Sequence, residues 1–406
     1  MSATPIDVPR TAIKQESYFK QLDGIRFIAV FLVLYDHLLA GFNTLPIGPI
    51  GVTIFFVLSG FLITRILIES KHQYQPRENG LSTYLKKFFI RRTIRIFPIY
   101  YLVIFLLVLF NVPPAREKFL WLALYATNIY IAHYETWLGS MDHLWSLAVE
   151  EQFYIFFPFL VFFVPTRHLP KILVAFIVGS VSLRLYYFLK GEPWFVSYVL
   201  MPTSLDSFGL GGFLAYLYIF QLSHFQRIFR HTALVWLGLI ILGGSLYWYH
   251  ISADPHQSLN SVFERLAGSI FAFFLIGKAI LGYDGVMKWI LENPVSIYLG
   301  RISYGIYLYH NFVYNHYHTP PTHPVYRLMH RIYREIPALE ESYLFNFAAY
   351  TLLTILVATL SWYIIENPST TLKIAFVINA FHALCLTFFR KGTGFYQPGY
   401  SSCSLR

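Results

Sequence analysis

Ten stretches of this 406-residue chain are apolar for long enough to cross, or nearly cross, a lipid bilayer, and no other property narrows its folding options as far. They lie at about 25–42, 50–68, 96–112, 150–165, 171–189, 203–221, 232–250, 262–282, 294–314 and 344–365. A hydrocarbon core about 30 Å thick takes roughly 20 helical residues. Inside it every backbone N–H and C=O must be paired within the segment. The sequence is 56% hydrophobic and only 13% charged, about half the charge of a soluble protein. The expected fold is therefore all-α: a polytopic integral membrane helical bundle of about ten transmembrane helices. Two further stretches, 118–133 and 373–389, are short and carry polar residues. The first is expected to be re-entrant or interfacial, and the second is a candidate for an extra C-terminal helix.

Loop charge sets the orientation, because cytoplasmic loops are enriched in Lys and Arg. The segment 69–96 holds Lys71, Arg77, Lys86, Lys87, Arg91, Arg92 and Arg95, whereas the loop near 43–50 holds none. The N-terminus is thus expected in the cytoplasm, with 1–20 as a cytoplasmic segment, 21–370 as the membrane domain and 371–406 as a hydrophobic segment and short tail. No cleaved signal peptide is expected, since apolar character starts only near Arg26. The loop 315–343, with Arg327, Arg331 and Arg334, then falls outside and breaks the rule locally. The net charge of +10 comes without a basic helix or an aromatic–basic platform, so the expected partner is the lipid bilayer and not nucleic acid. Cys385 and Cys403 are the only cysteines and provide neither a disulfide framework nor a metal cluster. No internal repeat of the kind found in many secondary transporters is visible.

Charge inside an apolar stretch has to be compensated, which makes it a marker of function. Arg26 and His37 share the first stretch, eleven positions apart, so on a helix they project from nearly one face at different depths. An imidazole suits proton transfer from a hydroxyl near neutral pH. The competing reading is a histidine that only bonds a neighbouring helix. Arg92 and Arg95, with Arg91 beside them, lie at the cytoplasmic end of the third stretch. Paired guanidiniums there can clamp a phosphate, or simply anchor the helix at the headgroups. The run His143–Tyr154 carries Glu150 and Glu151 into a span. Glu150 could orient His37 or balance an arginine, while Glu151 could sit at headgroup level. Their spacing with His143 matches no ligand motif, so no metal is expected. Ser59 and Gly60 read as a close-packing pair, with no nucleophile elbow around the serine. His310, alone in the ninth stretch, reads as structural, and His316, His318, His323 and His330 as surface residues.

Taken in order, these motifs resemble the acyltransferase-3 family of membrane acyltransferases, which includes bacterial O-antigen and peptidoglycan O-acetyltransferases. The resemblance begins at Leu22–Arg26 with His37 and runs through FFVLSGFL, Arg91–Tyr100 (RRTIRIFPIY), His143–Tyr154 (HLWSLAVEEQFY) and Leu205–Ala215. It closes on Gly300–His310 and on Ile365–Pro368 (IENP). The resemblance implies transfer of an acyl group, usually acetyl from acetyl-CoA, to a hydroxyl of an envelope or exported carbohydrate or lipid-linked glycan. The setting it implies is a bacterial-type inner membrane. It assigns catalytic roles to Arg26, His37 and Glu150, and donor binding to Arg92 and Arg95, with Arg91 adjacent. Thr53 departs from the family's acid, and Ser204 stands where an Arg often precedes Asp206. A fused SGNH esterase-like domain is not expected. A homo-oligomer is compatible with the sequence. The alternative function is a transporter or flippase for a glycan or lipid-linked sugar, using the same polar cavity.

Overall fold

The computed structural model describes residues 18–39, 44–74, 79–315 and 318–367; the expected helix at 373–389, both cysteines and His316 lie outside them. Ten principal helices carry the fold: α1 (Lys20–Leu38), α2 (Ile47–Tyr74), α3 (Gly80–Leu109), α4 (Leu144–Phe163), α5 (Leu169–Lys190), α6 (Leu205–Phe220), α7 (Ala233–Ile251), α8 (Asn260–Leu281), α9 (Ser303–Val313) and α10 (Tyr343–Ser361). No strand occurs among the described residues.

Six helices are long and apolar enough to cross a bilayer, and up to eight if two bent pairs each form one span. The bent pairs are Pro202–Phe220 with Leu222–Phe229, at 120°, and Asn260–Leu281 with Gly285–Glu292, at 90°. Two of the expected spans are less regular. α1 places Lys20, Asp23, Arg26 and Asp36 within 19 residues. The stretch 294–314 breaks at Ile302 into Pro294–Arg301 and α9. The segment 118–133 forms two short helices, Phe119–Ala123 and Thr127–Tyr134, neither of which spans.

Helix α2 is the centre of the bundle and is apolar around its whole circumference, as a helix enclosed on all sides must be. It packs on α1, α3, α4, α6 and α8. Its contact with α6 is backbone against backbone. A Cβ on Gly211 would lie 2.1 Å from Val57 O, and one on Gly60 2.4 Å from Phe208 O. Small residues permit this approach in membranes, where the tight contact supplies dispersion energy in place of a hydrophobic driving force. Helix α7, by contrast, leaves Trp236, Leu237, Ile240 and Trp248 exposed, a face suited to lipid.

Lys71, read in the sequence only as an inside charge, is buried and donates to Val161 O (2.9 Å) and Val164 O (2.5 Å). It thereby satisfies carbonyls that the last turn of α4 leaves unpaired.

Candidate active site

Two cavities lie along α1, one at each end. The first, about 240 Å³, is lined by Arg26, Arg92, Arg95, Glu150, Ser59 and Tyr304 among others. The second, about 330 Å³, is lined by His37, Asp36, His143, Trp145, Glu264 and Arg265 among others. Eleven residues of helix separate Arg26 from His37, a rise of about 16 Å. Between the cavities stand Val52, Phe56, Ser146 and Tyr307, which line the first, next to Thr53, Trp145 and His143, which line the second. The Phe56 ring meets Trp145 edge-on at 6.1 Å, and the Ser146 hydroxyl lies 2.5 Å from that of Tyr307.

The first cavity collects charge from three helices. Arg26, Arg92 and Arg95 oppose one lining carboxylate, Glu150, leaving an excess of two positive charges. Arg26 binds Asp23 at 2.5 Å. Arg92 lies 3.5 Å from the centre of the Tyr154 ring, with Glu150 at 3.7 Å and Glu151 at 3.9 Å. Glu150 also accepts from Ser59 (3.0 Å) and Tyr154 (3.0 Å). Of the two roles open to Glu150, the geometry gives it the arginine and not His37. Glu151 is buried and faces Arg92. Arg95 makes no hydrogen bond or ion pair among the described residues and borders the cavity with its charge available. Arg91 is exposed and does not line the cavity, so the structure places it apart from the other two.

In the second cavity a chain of hydrogen bonds fixes the proton positions. His310 Nδ1 lies 2.5 Å from Tyr307 O, which can only accept, so this nitrogen carries the proton. In the neutral ring His310 Nε2 is then an acceptor. His37 Nδ1, 2.6 Å away, must donate to it. That leaves the lone pair of His37 on Nε2, the nitrogen able to act as base. The rings of the pair stack with centroids 4.8 Å apart at 23°. A third histidine buttresses them: His143 donates from Nε2 to Leu308 O (3.0 Å) and accepts at Nδ1 from Asn311 (3.1 Å). The base and its orienting partner thus come from α1 and α9. His310 is fully buried and meets His37, a contact that its place in an apolar stretch did not indicate.

Asp206, doubtful from sequence because Ser204 stands two positions before it, is fully buried and bound to Arg184 at 2.6 Å. Ser204 accepts from Arg265 at 2.5 Å. Arginines from α5 and α8 therefore supply charge next to this turn from other helices. Thr53 bonds Pro49 O (2.8 Å) and lines the His37 cavity.

A helical bundle with a buried histidine pair on one side of a partition and a cluster of arginines on the other carries a candidate group-transfer site. The chain belongs to the acyltransferase domain family, whose sequence profile matches residues 19–366. It is similar to the peptidoglycan O-acetyltransferase OatA of Listeria monocytogenes, 30% identical over 332 residues that cover 74% of this chain and 50% of that protein. It is also similar to the O-acetyltransferase OatA of Staphylococcus aureus, 29% identical over 377 residues covering 86% of this chain and 57% of that protein. The chain spans about half the length of the curated relatives it matches. No solved structure matches it.

Proposed function

We propose that this chain O-acetylates a cell-envelope carbohydrate, with acetyl-CoA as donor in the arginine cavity and the acceptor hydroxyl in the His37 cavity. The observation that carries this reading is the His37–His310 pair, a base with its lone pair assigned to Nε2, set apart from an arginine cluster to which the same helix contributes Arg26. Arg95, Arg92 and Arg26 suit the phosphates of the donor. The donor's flexible pantetheine arm accounts for the separation of about 16 Å between phosphate site and base. Arg92 and Arg95 lie midway along α3, within the basic segment 69–96, and that bias supports a donor on the cytoplasmic face with the N-terminus on the same side. The bilayer is then the inner membrane.

In this reaction His37 Nε2 takes the proton of the acceptor hydroxyl as its oxygen attacks the thioester carbonyl. The carbon–sulfur bond breaks, and the departing thiolate receives that proton, giving an ester and free coenzyme A. His37 can hold the proton without losing His310, because protonation leaves the Nδ1–H donor in place. Asp36, lining the same cavity, balances the transient charge. Arg26, about three helical turns away, serves the donor and not the oxyanion formed at His37.

The direct test is purified protein in lipid nanodiscs with acetyl-labelled acetyl-CoA and a glycan extract. Label appearing as a base-labile ester on carbohydrate, with coenzyme A released, supports the reading. Intact donor in the presence of acceptor refutes it.

A further inference from the structure

The two cavities differ in lining as well as in place. None of the tryptophans of this chain borders the arginine cavity, whereas Trp137, Trp145 and Trp194 all border the one that holds His37. There Trp194 stacks on His256 with centroids 4.1 Å apart at 11°, and Tyr249 meets that imidazole edge-on at 5.9 Å. Trp137 lies 6.2 Å from Trp194. These rings are half-buried, held by one another and open to the cavity. Flat, fixed aromatic faces receive the C–H face of a pyranose, and nearby carboxylates accept from its hydroxyl groups.

The same wall carries polar groups for the hydroxyls of such a ring. Asp36, Asp142 and Glu264 contribute three carboxylates. The opposing cations, Arg184 and Arg265, are already engaged. Arg184 spends its donors on Asp206, Val262 O (2.8 Å) and Thr203 O (2.5 Å). Arg265 spends its two terminal nitrogens on Ser204 and Tyr198 O (2.6 Å). His256 is pushed towards its neutral form by burial against Trp194. The three carboxyl groups are placed to accept from the hydroxyl groups of a sugar ring.

We infer that the cavity around Trp194 is the acceptor subsite and that it takes a sugar ring laid against the aromatic wall of Trp194 and Trp137. This rests on the reading that the acceptor meets His37.

The test compares glycans of the parent cell, a strain deleted for this gene, and the deletion strain carrying the full-length wild type, Trp194→Ala, Trp194→Phe or Trp137→Ala. Mass spectrometry after mild hydrolysis locates the acetyl group on individual sugar residues, and coenzyme A binding to each protein in nanodiscs reports folding and the donor site. The expected result is acetyl on a sugar residue, reduced about tenfold by Trp194→Ala and retained within about threefold by Trp194→Phe, with coenzyme A affinity unchanged. Trp137→Ala gives the same loss and serves if Trp194→Ala fails to fold. Full acetylation by both alanine variants overturns the inference while leaving the donor site and His37 standing. No carbohydrate ester lost on deletion overturns the inference and the proposed function together.

Discussion

His37 Nδ1 and His310 Nε2 lie 2.6 Å apart although 273 positions separate them in the chain, and that contact determines which nitrogen of His37 is free to take a proton. A general base contributes about 10²–10⁴-fold to rate. His37→Ala should therefore reduce acetyl transfer by at least about 10²-fold, with the protein still folded in the membrane. Labelled transfer and size-exclusion profiles of the purified variant measure both. Transfer at the wild-type rate would remove His37 from the chemistry.

His310 acts through His37 and is a positioning residue. His310→Ala should lower kcat by about 10–10²-fold and leave KM for acetyl-CoA unchanged, because the donor site lies at the other end of α1. His310→Gln restores an acceptor for His37 Nδ1 and should recover part of kcat. The double variant His37→Ala/His310→Ala should be no slower than His37→Ala, as for residues that act as a unit. Equal effects on kcat and on thermal stability would reduce His310 to a structural role.

The three arginines of the first cavity should separate in behaviour. Arg95→Ala, which breaks no ion pair among the described residues, should weaken coenzyme A binding about tenfold with the melting temperature unchanged. Arg92→Ala leaves Glu150 and Glu151 facing each other without their shared cation, and should also destabilise the fold. Removing one partner of a fully buried pair costs roughly 3–5 kcal/mol; these groups retain some exposure, so about 1–2 kcal/mol is expected. Titration calorimetry with coenzyme A and thermal unfolding in detergent distinguish the two. Identical profiles for the two variants would contradict the division.

Arg184 and Asp206 form the most enclosed ion pair of the bundle's described part, with side chains 3% and 0% exposed. Asp206→Ala should lower stability by about 3–5 kcal/mol, since it strands a buried guanidinium. Replacing both partners with apolar residues of similar volume should recover much of the loss. Thermal unfolding of the single and double variants gives the coupling energy. A single variant as stable as the wild type would show that Arg184 finds another partner.

Gly211→Ala should destabilise by about 1–3 kcal/mol, because its Cβ would meet Val57 O at 2.1 Å on the central helix. Gly243→Ala, at a site with nothing within 4 Å, is the matched control. Equal melting temperatures for the two would mean that α2 and α6 can part at little cost.

Much of this architecture can be read along the chain. Runs of about 20 apolar residues announce α2 to α5 without help from tertiary structure, because spanning length depends on local composition. Arg26 and His37 are legible too, since helical periodicity relates positions on one element. His310 was not, because pairing across 273 residues leaves no trace in spacing. For the same reason the division of Glu150 and Glu151 around Arg92, and the supply of Arg184 to Asp206, emerge only when α3, α4, α5 and α6 are assembled. The break at Ile302 was also hidden: 294–314 remains apolar through it, and hydropathy does not report direction.

The wall of Val52, Phe56, Ser146 and Tyr307 carries a duty unrelated to chemistry. An enzyme with a wet pocket near each face of an energised membrane is one rearrangement away from being a proton leak. Under the proposed reaction, keeping those side chains closed between turnovers would let an acyl group cross while the ion gradient that powers the cell does not follow it. Substitutions that merely thin this wall would then be recognised first by their cost to the host's membrane potential, before any change in the acetylated product.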